Sequence, residues 1–500
     1  VNTQISRISL LALLLLAALI VGTTYWQAWA APGLAAKQDN AIERVAQFEI
    51  KRGLIYASDG KTLLATNVRR RSAGQTLYFR RYPTNGFAAQ TVGYSTQGRS
   101  RAGLERSENA YLTASNANLG TIWDRLSDRL RGATITGNNL ILNLKVGAQR
   151  IAESALRGNC GAAVVLNPKT GAVYVMASSP TYNPNLIESN TGYAHILKAP
   201  SACPGSSSAL LNRATQGLYT PGSTFKTVTA AAALDDHVYG PSSTFYDPGY
   251  CTEYGQRISN ALNPDQTAES YGNVNFLQAY EHSINAVFCN IGKSLGAKRI
   301  LDKAKDFGFY SSPPIELPPD ERAPSGLYNF RKHALYDDPG IVDPGRLAFG
   351  QEHLLVTPLQ MALVAAAVAN RGTIMVPHLV KEVRSPGGSV VMRTKPQVWK
   401  HAMTPQTAGI LNQFMQAVVT GGTGTQAQIP GIKVAGKTGT AETGKPHVYT
   451  AWFIFFAPAD DPQVAGAVVL ENQLNGFGGA VAAPIAKQLM QAILPGPSKH

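Results

Sequence analysis

Between Gly217 and Asp235 the chain reads GLYTPGSTFKTVTAAAALD and holds a serine and a lysine three positions apart, Ser223 and Lys226. Tyr219-Thr220-Pro221-Gly222 reads as a turn, and Phe225, Val228 and the alanines ending in Leu234 fit helical spacing. Ser223 is therefore expected at a helix N-terminus, with Lys226 on the same face one turn later. That brings a hydroxyl within reach of an amine, as a serine nucleophile with a lysine base requires. The same two residues also describe a capping serine followed by a solvent-facing lysine. The pair alone decides nothing.

Two further signals share the chemistry. Ser283-Ile284-Asn285 opens a helix expected from Ala286 to Leu295, and Val434-Ala435-Gly436-Lys437-Thr438-Gly439-Thr440-Ala441-Glu442 reads as an apolar strand ending in Lys-Thr-Gly. The second supplies a fixed cation and a hydroxyl, with a glycine expected to let a ligand approach closely. A cap or turn, and a strand end with a surface lysine, are the ordinary readings of each. His282, beside Ser283, is read as structural, Glu442 as a strand-end surface carboxylate or a contact for a reacting amine, and Trp452 and Phe453 as core. No His/Asp/Glu cluster has metal-ligand spacing, so no metal or cofactor is expected.

The elements that must position these residues divide into two units. From Asp39 to about Asn138 mixed strands and loops are expected, with strand-like alternation over Phe48–Ile55 and no constellation of obvious chemistry. A larger unit begins near Asn139. Its expected early elements are a strand at Leu140–Leu144, a helix at Val146–Leu156, a buried strand at Ala162–Leu166, a turn at Asn167–Gly171 and a return strand at Ala172–Ala177. Late strands are expected at Lys433–Gly436, Ala451–Phe456 and Val464–Leu470, with a last helix at Ala482–Leu494. The region Thr224–Val418 between them reads as largely helical. Within it Thr357-Pro358-Leu359-Gln360 signals a capped helix start and Arg371-Gly372 its left-handed end. One antiparallel sheet built from both ends of the unit, with helices beside it, makes this an α+β fold.

Ile8 to Trp26 carries no charge and is long enough to cross a bilayer, with Arg7 before it. An anchor with its N-terminus in the cytoplasm is favoured, with Tyr25, Trp26 and Trp29 at the outer interface. A cleaved signal peptide is the rival, because Ala28-Trp29-Ala30 resembles a cleavage site. Either way the bulk lies outside the cytoplasm. The net charge of +14 suits an anionic surface or polymer, but no basic run exceeds Arg69-Arg70-Arg71 and no nucleic-acid partner is expected. Cys160, Cys203, Cys251 and Cys289 form no C-x-x-C pair, which argues against zinc or a redox motif. Of the three possible pairings the nearest-neighbour one, Cys160 with Cys203 and Cys251 with Cys289, is preferred, and free buried thiols stay open.

Ser-x-x-Lys, Ser-x-Asn and Lys-Thr-Gly in this order resemble the motif set of penicillin-binding proteins and class A β-lactamases. The whole chain is similar to a class B penicillin-binding protein, and in size and layout to the actinobacterial members of that class. Arg52-Gly53-Leu54-Ile55 with Gly60, Gly103-Leu104-Glu105, Pro168–Ala177, Gly350-Gln351 and Thr357–Ala362 add to the match. Where the family's first pedestal motif continues Asp-Arg, this chain has Ala57-Ser58. The resemblance implies a serine β-lactamase-like transpeptidase domain at 139–494, an elongated, mainly β pedestal at 27–138, an anchor at 8–26, a cytoplasmic segment at 1–7 and a tail at 495–500. It implies a peptidoglycan D,D-transpeptidase that cross-links stem peptides through an acyl-enzyme on Ser223 and is blocked by β-lactams. Lys226 would be the base and Ser283 a proton relay. Asn285 would hold the donor peptide, Lys437 would supply positive potential, and Thr438 would bind the substrate carboxylate. The backbone N–H groups of Ser223 and Thr440, beside Gly439, would form the oxyanion hole. A D,D-carboxypeptidase, a β-lactamase and a scaffold for a membrane glycosyltransferase of the SEDS type stay open as alternatives. The last is also a partner compatible with catalysis.

Overall fold

The computed structural model describes residues 2–25, 48–72, 74–115, 134–198, 203, 208–260, 269–329, 331 and 334–495. Strands from both ends of the larger unit meet in a five-stranded antiparallel sheet, in the order Ala435–Glu442, Val448–Ala457, Val464–Leu474, Gly161–Leu166, Val173–Ser179. The pairing of Val468 with Ala163 joins late chain to early. Successive residues of each strand face opposite sides. Val164, Trp452, Ile454 and Phe456 enter one core with the helix Pro358–Ala369. Ala163, Val165, Phe453 and Phe455 enter another with the helices Val146–Ala155 and Ala483–Ile493. Because both faces are covered, Gly161–Leu166 is buried at every position instead of alternating.

Residues 224–418 depart from the expectation of a largely helical region. They hold the helices Lys226–Asp235, Phe276–Glu281, Asn285–Asp306, Pro358–Ala369 and Pro405–Thr420. They also hold short paired strands: Thr244–Asp247 with Gly272–Asn275, Tyr250–Glu253 with Gln256–Ser259, and Thr373–Met375 with Val398–His401. Segments this short offer too few residues for an alternation to stand out. The helix start at Pro358 is capped as expected, Thr357 Oγ1 accepting from Gln360 N–H at 3.2 Å. The Gln360 side chain does not return to the cap; it donates to the Phe307 carbonyl at 2.7 Å.

A second, six-stranded sheet runs in the order Val390–Arg393, Val380–Arg384, Asn139–Leu142, Ile55–Tyr56, Leu63–Ser72, Gln75–Arg81. The pair Ile55–Tyr56 with Asn139–Leu142 is parallel. Asn139–Leu142, expected as the larger unit's first strand, thus pairs with a pedestal strand, and Val380–Arg384 closes on its other side. The alternation read over Phe48–Ile55 becomes a strand only at Ile55–Tyr56. The pedestal also holds the short helices Gly103–Ser107 and Asn109–Leu112.

At the pedestal's centre lies a buried ion cluster. Glu105 accepts from Arg52 Nη2 at 2.9 Å and Arg80 Nε at 2.6 Å, and Arg52 Nη1 also donates to Asn109 Oδ1 at 2.7 Å. Burial pushes Glu105 upward, but Arg80 and Arg52 outweigh it and leave the carboxyl below its ordinary value.

The helix Asn2–Thr24 contains an apolar stretch, Ser6–Thr24, long enough to cross a membrane. The expected interface residues Trp26 and Trp29 lie outside the described residues. Both preferred disulfides are present, Cys160–Cys203 and Cys251–Cys289, with Cα separations of 5.5 and 6.3 Å.

Candidate active site

The Ser-x-x-Lys segment does not begin as an α-helix. Gly222 takes a left-handed backbone (φ 53°) and starts a 3₁₀ turn, Gly222–Phe225, which runs into the α-helix Lys226–Asp235. Pro221 has no N–H and Thr224 Oγ1 donates to the Pro221 carbonyl at 2.8 Å, which tightens this turn. Three contacts then hold it in place. Gly222 N–H donates to Gly350 O at 3.1 Å, Tyr219 N–H to Val356 O at 3.0 Å, and Trp452 Nε1 to Thr220 O at 3.0 Å. Ser223 is half-exposed, and its hydroxyl bonds to no other described residue.

Ser283 sits where the helix Phe276–Glu281 gives way to the helix Asn285–Asp306. Its φ of 58° reverses the chain there, an arrangement that costs a serine about 1–2 kcal/mol. The reversal turns both its carbonyl and its hydroxyl to Lys226. Lys226 Nζ donates to Ser283 O at 2.6 Å and Asn285 Oδ1 at 2.7 Å, and lies 3.2 Å from Ser283 Oγ. Lys437 Nζ reaches the same hydroxyl at 2.9 Å and Thr438 O at 3.2 Å. Both amines are fully buried, and among the described residues neither has a carboxylate partner.

The electrostatics follow from that. Burial pushes Lys226 well below the ordinary lysine value, and the charge of Lys437 pushes it further down. Burial brings Lys437 to about 7.

The strand carrying Lys-Thr-Gly runs on to Glu442 instead of ending at the motif. Gly439 packs closely against the turn. A Cβ there would stand 2.8 Å from Pro221 O and Thr224 Cγ2 and 3.1 Å from Trp452 Cβ, so the glycine lets the turn that carries Ser223 pack against the strand. Thr438 Oγ1 pairs with Thr423 Oγ1 at 2.6 Å, and Thr440 Oγ1 accepts from Gly478 N–H at 3.3 Å. Thr423 and Gly478 escape sequence reasoning. The Gly421-Gly422-Thr423-Gly424 loop just before the strand is the signal that could have pointed to Thr423. His282 stacks on Tyr271, with ring centroids 5.1 Å apart, and Glu442 is exposed. Trp452 and Phe453 are core, as expected. Cys251, Glu253 and Cys289 lie within ligand distance of one another, but their two sulfurs are joined as a disulfide.

Residues 161–491 match the penicillin-binding protein transpeptidase domain, and residues 52–140 the penicillin-binding protein A dimerisation domain. A peptidoglycan D,D-transpeptidase, PbpA, of Mycolicibacterium smegmatis is 33% identical over 99% of both chains. PbpA of Mycobacterium tuberculosis is 32% identical over 99% of both. The crystal structure of M. tuberculosis penicillin-binding protein A as its ceftriaxone acyl-enzyme superposes with a TM-score of 0.79 at 29% identity, over 90% of this chain and 100% of that one. Its penicillin G acyl-enzyme gives 0.77 at 30%, over 89% and 100%. Fold and matches together define an α+β penicillin-binding transpeptidase domain on a dimerisation-type pedestal. The chain belongs to the penicillin-binding protein A family of peptidoglycan D,D-transpeptidases.

Proposed function

We propose that Ser223 is the nucleophile of the family's D,D-transpeptidase reaction. Ser223 Oγ attacks the carbonyl carbon of the penultimate D-Ala of a donor stem peptide while its proton passes to neutral Lys226. The tetrahedral oxyanion rests on the backbone N–H groups of Ser223 and Thr440, worth about 3 kcal/mol per donor. The C–N bond breaks, Ser283 relays the proton from Lys226 to the departing amine, and the terminal D-Ala leaves. An acceptor amine then attacks the ester, and Ser223 recovers its proton as the cross-link forms. Lys437 supplies positive potential and Thr438 binds the donor's terminal carboxylate. Asn285 keeps one amide hydrogen free for the donor backbone, its other being used toward Ser259 O at 3.3 Å.

The observation that carries this reading is the Ser283 hydroxyl between two buried amines, 3.2 Å from Lys226 Nζ and 2.9 Å from Lys437 Nζ. Such a hydroxyl can hand a proton on only if one of those amines is neutral, and their burial favours that form. We further place residues 1–7 in the cytoplasm, 8–26 in the cytoplasmic membrane, and pedestal 27–138, transpeptidase domain 139–494 and tail 495–500 outside it. The membrane segment and pedestal are the surfaces we assign to a SEDS-type glycosyltransferase.

The test is the intact mass of wild type and Ser223→Ala after benzylpenicillin. A stable adduct on the wild type alone is expected. Loss of free penicillin without an adduct would make the chain a β-lactamase. An adduct on both proteins would move the nucleophile elsewhere, and neither adduct nor hydrolysis would leave scaffolding as the function.

A further inference from the structure

Asn285 is held on one side by Lys226 and on the other by residues outside the three motifs. Its Oδ1 accepts from Lys226 Nζ at 2.7 Å and its Nδ2 donates to the carbonyl of Ser259 at 3.3 Å. The two ends of an amide have nearly the same shape, so it is these partners that decide which end meets Lys226. Ser259 closes the strand Gln256–Ser259. The next residue, Asn260, is almost fully buried and makes a bond with every part of its side chain. Its Oδ1 accepts from Ala286 N–H at 2.9 Å, the residue after Asn285. Its Nδ2 donates to Asp247 Oδ2 and to Glu269 O, each at 2.8 Å. Asp247 has no exposed surface, and its Oδ2 also accepts from Tyr271 N–H at 2.9 Å, its Oδ1 from Gly249 N–H at 2.9 Å. The Cys251–Cys289 disulfide fastens the same hairpin to the helix that Asn285 opens, one turn further along.

We propose that Asn260, anchored by Asp247, is a positioning residue of the transpeptidase. It fixes the Ser259 carbonyl against Asn285, so that Asn285 presents its oxygen and not its NH₂ to Lys226. A flipped amide would set donor hydrogens against an amine that already donates to Ser283 O. Lys226 would lose one acceptor of its protonated form and sit further from the geometry its role as base requires. The inference rests on the roles given above to Lys226 and Asn285.

The test is benzylpenicillin acylation of the full chain across pH, with rates expressed per titratable Ser223 so that unfolded protein does not count. Among the described residues the charged group facing Lys226 is Lys437, and the one facing Asn260 is Asp247. Asn260→Ala is expected to slow acylation by about tenfold to a hundredfold. It is also expected to move the acid limb to lower pH by about half a unit or more, because the protonated amine loses a hydrogen-bond acceptor. An unmoved limb, at whatever rate, overturns the proposal, since a purely structural role would scale the rate without shifting it. Asn260→Asp gives a second reading if the alanine variant fails to fold. It keeps the acceptor for Ala286 but sets a second carboxylate against Asp247, and one shared proton restores the bond. Its rate relative to wild type is expected to fall as pH rises, and a ratio constant with pH contradicts the inference. Absence of a Ser223 adduct on the wild type would instead sink the reading on which it rests.

Discussion

The pedestal and the active site each bury a cluster of charge, and they do so in opposite ways. In the pedestal, Arg52 and Arg80 close on Glu105, which burial alone would protonate and which the two guanidinium groups keep ionised. In the active site Lys226 and Lys437 close on Ser283, a neutral partner, and burial drives both amines toward their uncharged forms. Two things differ: the pedestal's buried cations are arginines, which stay charged, and a carboxylate faces them, whereas the active-site cations are lysines that face neutral groups, and burial favours their uncharged forms.

The sharpest way to break the contrast is Lys226→Arg. An arginine keeps the charge but does not deprotonate in a protein, so acylation by benzylpenicillin is expected to fall by about a thousandfold or more, as for loss of a general base. Stopped-flow acylation of the purified variant measures this, and a rate within tenfold of wild type would mean that Lys226 acts through charge alone.

Glu105→Ala probes the other cluster. It strands two guanidinium groups in the interior and is expected to cost about 3–5 kcal/mol of folding free energy in urea unfolding. The acylation rate per folded molecule should be unchanged. A loss of stability under about 1 kcal/mol would show that water reaches the cluster.

A smaller effect is expected at Thr423→Val, which removes the partner of the Thr438 hydroxyl. Loss of one hydrogen bond there is expected to raise the KM for a donor peptide by about three- to tenfold with kcat little changed.

The pH dependence of stability is the effect whose sign separates the clusters. Lys437 titrates at about 7 when folded against 10.5 as an ordinary lysine. Between those values the unfolded chain binds the extra proton, so its contribution to stability rises as pH goes from about 7 toward 10. Glu105 lies below its ordinary value of 4.5, so its contribution is present above that value and is lost as pH falls through the folded one. In thermal unfolding, Lys437→Met should flatten the alkaline rise and leave the acid loss intact.

What could be read in advance was chemistry carried by near neighbours. Ser223 and Lys226 stand three residues apart at the start of a helix, and Ser283 and Asn285 two residues apart, so each pair shows as a short motif. Their order along the chain with Lys437 did the rest. The disulfides join cysteines that are neighbours in chain order, at separations of 43 and 38 residues; that order favours this pairing among the three possible ones but does not choose between disulfides and free thiols. What could not be read depends on strands meeting from afar. Arg52 and Glu105 are 53 residues apart and Arg80 lies 25 from Glu105, so only the folded sheet unites them. The motif residues Arg52 and Glu105 were visible, but not that they form an ion cluster. Thr423 and Asn260 support the site from neighbouring loops, and no spacing ties them to it. That Gly439 packs against the turn carrying Ser223 depends on that turn and its strand meeting in the fold, which no spacing shows.

The central question is whether Lys226 is neutral when Ser223 attacks. The most direct measurement is the pH dependence of benzylpenicillin acylation by the wild-type chain. A limb rising well below the ordinary lysine value, followed by a decline above about 7 as Lys437 sheds its charge, is the predicted profile. A rate that climbs steadily to pH 10, as an unperturbed lysine base would give, would contradict it.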